Sequence, residues 1–207
     1  MFASREDAGR QLGQWLRSRG VELDIVAGLP RGGVVVAAEV ARILNRPLDV
    51  LVVRKIGHPL FREFAVGALA EHGVVVLDDA ISSEKQGFGE LLADVIHEEQ
   101  ERLSSYQALF PHRGNSGLAG KGVLLVDDGL ATGATTEAAV RSAFKQGARS
   151  VAVAAPVASQ HAIDRLRPIA DRLEVMLVDP EFDAVGRYYE TFPQTTDDEV
   201  LDLLAAT

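Results

Sequence analysis

A chain of 207 residues, 47% hydrophobic and 25% charged, has the size and composition of one globular domain, which excludes a disordered or fibrous protein. Its lack of cysteine excludes disulfides, a thiol nucleophile and any Cys-based metal site, and its formal charge of −9 argues against general nucleic-acid binding. The longest apolar runs, such as 151–157, fall far below the roughly 18–20 residues that span a bilayer, so no membrane partner is expected.

Residues 5–19 have helical periodicity, with charges from Arg5 onward. They read as an amphipathic helix rather than a leader, and a cytoplasmic location is expected. In "VELDIVAGLPRGG" the apolar run 25–27 ends in a Gly/Pro turn, the pattern of a strand entering a loop. "VVVAAEVARILN" reads as a buried helix, with strand as a competitor because of its valines. "PLDVLVVRKIG" reads as one second strand ending in the basic pair Arg54-Lys55. "REFAVGALAEHGVVVLDDAI" reads as two short strands turning at His72-Gly73, an antiparallel flap. "SSEKQGFGELLADVIHEEQERLSSYQALF" reads as a long charged helix, stopped by Pro111 and a polar loop with Gly114, Asn115, Ser116 and Gly117.

The stretch "KGVLLVDDGLATGATTEAAV" follows, with a buried strand at 123–126, Asp127 and Asp128 at its carboxyl end, and a helix opening over 133–136. That helix runs to Lys145 and closes at Gly147. A strand "SVAVAAPV", a helix over about 160–167 and a strand "LEVMLVD" complete the pattern. Strands alternating with helices predict an α/β fold, a doubly wound and mainly parallel sheet flanked by helices. Ligands in such sheets sit beyond the carboxyl ends of strands, so the loops at Arg31, Lys55 and Asp127 are expected to converge. One domain spans 1–207, with a core over about 20–180, a flap over about 55–80 and a C-terminal hood or tail over about 180–207.

The two acids face a helix N-terminus, where free N–H groups and the dipole favour a phosphate. Ala131, Thr132, Gly133 and Ala134 allow close approach, and Thr132, Thr135 and Thr136 add hydroxyls. An adjacent carboxylate pair would repel a second phosphate but accepts hydrogen bonds from vicinal hydroxyls, which describes a ribose 5-phosphate. The spacing fits neither a Walker loop nor a dinucleotide fingerprint. The competing reading is an acidic N-cap in an ordinary strand-to-helix turn.

"VLLVDDGLATGAT" resembles the phosphoribosyl pyrophosphate (PRPP) signature of type I phosphoribosyltransferases. The likeness extends to "GLPRGGVVVA" and "VVRKIG" and covers about 24–178 in element order. It is nearest to a bacterial subgroup of uncharacterised members with "GLPRGG", "VRKIG" and "VASQ"-like segments. The sequence departs at Gly129, where the family usually has a branched aliphatic residue, and at "HPLFREF", where the subgroup has a Gly/Pro/Asn-rich run; contacts from His58, Arg62 and Glu63 there stay open.

The resemblance implies that Asp127 and Asp128 hold the ribose hydroxyls and that Ala131, Thr132, Gly133, Ala134 and Thr135 hold the 5-phosphate. Arg31, Gly32 and Gly33 match a pyrophosphate loop that often carries a non-proline cis peptide, and Gly32-Gly33 suits unusual backbone angles. Arg54 and Lys55 are the cations that meet the polyanion, although a solvated basic pair competes for Arg54. The implied reaction displaces pyrophosphate at C1 of PRPP by a nitrogen acceptor, a nucleobase-like molecule, with Lys55 and Arg31 assisting. Mg²⁺ is the implied cofactor, reached by Asp127 and Asp128 through water. Family members commonly dimerise. A PRPP-sensing regulatory module and a sugar-phosphate hydrolase are the alternatives.

Other features are read as structural. Asp78-Asp79 follows an apolar run but lacks the partners of a phosphoacceptor site, and reads as a loop or helix entry. His58, His72, His97, His112 and His161 have no i, i+4 pair and form no zinc site. Ser159 is expected to cap a helix. Phe182, Tyr188, Tyr189 and Phe192 either stack on an acceptor or pin the tail to the core, and Thr196 or Asp197 starts a closing helix.

Overall fold

The computed structural model of the chain describes residues 1–78, 81, 88–110 and 117–206. Asp79, the expected helix start over 82–87, and the polar loop over 111–116 with His112 lie outside them. The elements are α1 (Arg5–Ser18), β1 (Ile25–Gly28), α2 (Gly32–Leu44), β2 (Leu48–Val50), β3 (Val53–Gly57), β4 (Ala65–Ala70), β5 (Val74–Leu77) and α3 (Phe88–Leu109), then β6 (Gly122–Val126), α4 (Ala134–Lys145), β7 (Ser150–Ser159), α5 (Gln160–Leu166), β8 (Arg172–Asp179) and α6 (Asp197–Ala206).

Five strands form a parallel sheet in the order β2-β1-β6-β7-β8. Alternation along each strand supplies a core on both faces. Val26, Leu124, Val126 and Ala154 pack with α1, α2 and α6, whereas Ile25, Ala27, Val123, Leu125 and Val153 pack with α4 and α5. The expected doubly wound fold follows directly from strands that are apolar on both sides.

The single strand expected over 47–57 is instead two strands in different sheets. β2 pairs with β1, the chain leaves at Leu51-Val52, and β3 joins β4 and β5 in a separate antiparallel sheet of order β3-β4-β5. An apolar run cannot reveal which neighbour each half pairs with. The break is held from both sides: the Leu51 amide donates to the Gly28 carbonyl at 3.1 Å, and the Val52 amide donates to Glu71 Oε1 at 2.8 Å. Glu71 is fully buried in the 3₁₀ turn Glu71–Gly73, and its carbonyl accepts the Ser142 hydroxyl of α4 at 2.9 Å. The turn at His72-Gly73 is present as expected, and both residues adopt positive φ. The small sheet thus has three strands, beginning at Val53, rather than two.

At the far end, Thr196 and Glu199 form a reciprocal cap on α6: Thr196 N–H donates to Glu199 Oε2 at 2.7 Å, and Glu199 N–H to Thr196 Oγ1 at 3.2 Å. Ser159 caps α5 by accepting the Ala162 amide at 2.9 Å, as expected. No helix among the described residues is long and apolar enough to cross a membrane.

Glu71→Ala leaves the buried Val52 amide without this acceptor, and an expected stability loss of about 1–3 kcal/mol follows. An unchanged urea midpoint would show that Glu71 does not hold the crossing.

Candidate active site

The carboxyl ends of β1 and β6 and the face of the small sheet enclose a cleft of about 320 Å³, within the range of small-molecule sites. Arg31 and Gly32, Lys55, the acid pair and residues 131–136 all line it. The three loops expected to converge do so, although Lys55 arrives from the middle of β3 rather than from the end of a main-sheet strand. Arg54 does not join it there. Its Nε pairs with Glu99 Oε2 of α3 at 2.6 Å, and it lines an adjoining cavity with Arg31 and Lys55.

Asp127 and Asp128 end β6 side by side. Desolvation pushes Asp127 well above the usual carboxylate range, and the charge of Asp128 adds to this; the Asp128 amide, Lys55 and Arg5 pull it back. Asp128 is also raised by desolvation, against the hydrogen bond and charge of Arg5. The Asp128 amide donates to Asp127 Oδ1 at 2.9 Å, and Arg5 Nε donates to Asp128 Oδ2 at 2.7 Å. A pair so arranged can receive hydroxyl donors or a hydrated cation.

The glycines of the Arg31 loop are there for proximity. A Cβ on Gly32 would lie 2.1 Å from Asp128 Oδ2, and one on Gly33 would lie 2.8 Å from Asp127 Oδ1. Neither has the positive φ expected of unusual backbone angles; the cis peptide is Pro30-Arg31. Gly33 therefore packs behind the acids, whereas Gly32 lines the cleft. The Arg31 guanidinium lies 3.8 Å from Asp197 of α6.

On the opposite wall Gly133, with φ 76°, turns the chain into α4. Helix geometry leaves the amides of Thr135 and Thr136 without an intrahelical acceptor. The Thr136 hydroxyl is buried with no hydrogen-bond partner, and the residue lines the cleft. Thr136 thus belongs beside Ala131, Thr132, Gly133, Ala134 and Thr135. Glu137, in the same first turn, would oppose an anion, but Arg165 and Arg141 hold it at 2.6 and 2.8 Å.

Among the described residues no group of three or more acidic or histidine side chains could hold a metal. Two carboxylates form the hard-oxygen set that suits Mg²⁺ when a ligand's phosphates complete the shell, so the residues fit that ion only together with substrate.

Three features went unread in the sequence. Asp78 is more than a loop feature: it lines the cleft and pairs with Arg165 at 2.6 Å, tying the end of β5 to α5. Arg5 reaches the acids from 123 positions away; its one local sign is a cation at the first position of a helix, where the dipole disfavours it. Val185 stands where a side chain on residue 129 would go, since a Cβ on Gly129 would lie 2.6 Å from Val185 Cγ1. The tail aromatics serve partly as anchors: Tyr189 is buried against Phe2, and its hydroxyl donates to the Asp128 carbonyl.

The phosphoribosyl transferase domain family matches residues 3–184. The Mycobacterium tuberculosis H37Rv protein named "Putative phosphoribosyl transferase Rv0571c" is 41% identical over 205 residues, 99% of this chain and 46% of that protein. The chain thus spans about half the length of this relative. The crystal structure of TT1426 from Thermus thermophilus is 42% identical, covers 99% of this chain and 98% of its own, and superposes with a TM-score of 0.77. AQ2163 from Aquifex aeolicus, at 14% identity and a TM-score of 0.52, shares the fold; the match covers 98% of this chain and 86% of that one.

Gly129→Val is expected to collide with Val185 and to cost about 1–3 kcal/mol in urea denaturation. Adding Val185→Ala should recover most of that loss; a double variant as unstable as the single one would refute the exchange of space.

Proposed function

The chain belongs to the phosphoribosyl transferase family, and we propose that it transfers the phosphoribosyl group of PRPP to a nitrogen acceptor of nucleobase type, releasing pyrophosphate. One observation carries the reading. An adjacent acid pair faces a helix N-terminus with an orphan threonine hydroxyl, and a glycine loop and a lysine close the same cleft. Few other ligands ask for two vicinal hydroxyl acceptors between two anion sites.

In this reading Asp127 and Asp128 accept the 2- and 3-hydroxyls of the ribose. The loop at 131–135, with Thr136, holds the 5-phosphate through amides and hydroxyls. Arg31, Gly32 and Lys55 face the pyrophosphate, where Arg31 and Lys55 supply positive charge as the C1–oxygen bond breaks and negative charge grows on the leaving group. Gly33 acts from behind by letting the loop close on Asp127. Arg54, paired with Glu99, borders the adjoining cavity with Arg31 and Lys55, at the margin of the pyrophosphate site.

The ring, positively charged at the transition state, is stabilised by the acids beneath it, and a neutral ring nitrogen of the acceptor takes C1 and sheds its proton to solvent or a nearby base. Mg²⁺ would be held through water by Asp127 and Asp128 and would neutralise pyrophosphate. Val185 and Leu130 give the cleft an apolar margin suited to a flat heterocycle. The cytoplasm is the compartment we propose.

Phosphorus NMR of the protein with PRPP, Mg²⁺ and a pool of purines, pyrimidines and pyridine carboxylates tests this. Pyrophosphate should appear only when the pool is present. Release without an acceptor would indicate a hydrolase, and shifted PRPP signals without turnover a sensor. By calorimetry, Asp128→Asn and Arg31→Ala should each weaken PRPP binding about tenfold with the fold intact; wild-type affinity in both would refute the site.

A further inference from the structure

We infer that Arg5 is a positioning residue of the ribose site, fixing the carboxylate of Asp128 and joining it to the C-terminal segment. The inference rests on the proposed binding of PRPP. Arg5 is the first residue of α1 and is 9% exposed. Its guanidinium is engaged on three sides: Nε donates to Asp128 Oδ2 at 2.7 Å, Nη1 donates to the Pro193 carbonyl at 2.6 Å, and Cζ lies 3.6 Å from the centre of the Phe192 ring.

A buried ion pair adds little to stability, because desolvating both charges offsets their attraction. What the contact supplies here is geometry and charge. Asp127 and Asp128 crowd two carboxylates beside the loop proposed for pyrophosphate, and Arg5 sets a positive charge against them. It also fixes Oδ2 of Asp128, as the Asp128 amide fixes Oδ1 of Asp127, so both carboxylates are held in orientation.

The surroundings are built to hold Arg5 there. Gly32 leaves room for it, since a Cβ on that residue would sit 2.6 Å from Arg5 Nε. α1 lies so close on α2 that a Cβ on Gly9 would be 2.7 Å from the Val36 carbonyl oxygen, and Ser4 caps the helix through the Asp7 amide. The tail is drawn to the same place by Phe2, whose amide donates to the Tyr188 carbonyl at 2.7 Å and whose carbonyl accepts the Glu190 amide at 2.8 Å.

The test compares two probes by calorimetry on the whole chain. Ribose 5-phosphate reads both the acid pair and the phosphate cradle, whereas inorganic phosphate reads the cradle alone. Arg5→Gln should weaken ribose 5-phosphate, and PRPP with Mg²⁺, about tenfold or more, while inorganic phosphate stays within about twofold of wild type. Arg5→Lys should recover part of the loss, because one ammonium keeps the charge but cannot serve Asp128 and Pro193 together. If Arg5→Gln does not fold, Arg5→Lys alone decides by the same split between the probes. Wild-type sugar-phosphate affinity, or an equal loss on both probes, would overturn the assignment. A wild-type protein that binds neither PRPP nor ribose 5-phosphate overturns the parent reading with it, whereas wild-type binding of both with no effect at Arg5 overturns this inference alone.

Discussion

Two carboxylates placed side by side at the end of one buried strand are the constraint around which the rest of the cleft is arranged. Asp127 and Asp128 are both desolvated, and each is raised above the ordinary carboxylate range. Such a pair persists only where donors and cations are fixed around it. The chain provides the Asp128 amide, the Arg5 guanidinium and the charge of Lys55, and it brings the two glycines of the Arg31 loop into contact with the acids. The demand the acids make for hydrogen-bond donors also makes them suitable for a ribose.

Two opposite charge preferences meet within this one cleft. The wall at α4 attracts anions, with free amides, an orphan hydroxyl and an acidic first-turn residue neutralised by two arginines. The floor attracts hydroxyls and cations. A ligand with phosphate at one end, hydroxyls in the middle and pyrophosphate at the other end satisfies both. The net charge of −9 does not oppose such a ligand, because the charge that matters is local.

The split of residues 47–57 between two sheets determines which cation lines the cleft at the acid pair. With β3 outside the parallel sheet, Lys55 lines that cleft and Arg54 pairs with Glu99 of α3. Glu71 and Asp78 tie the small sheet down at its turn and at the end of β5, the first to Val52 and the second to Arg165. These contacts hold the small sheet, and with it Lys55, beside the acid pair.

Much of this was legible in the sequence. The order strand, acid pair, small residues, helix is local, and the physics that produces it acts over a few residues: a buried strand, free amides at a helix start and a positive φ at Gly133. The doubly wound sheet was readable for the same reason, from runs apolar on both faces. Gly32 and Gly33 were legible as special positions, but not their cause, which is the nearness of a strand almost a hundred residues on. Pairing between distant segments was not legible. Nothing near Arg5 names Asp128, nothing near Gly129 names Val185, and the run 47–57 carries no mark of where it changes sheets. The sequence by itself determined the elements and the chemical character of the motif, because those depend on neighbours along the chain. Only the tertiary structure decided which side chains meet, because the energy of a contact depends on separation in space, and chain spacing does not encode it.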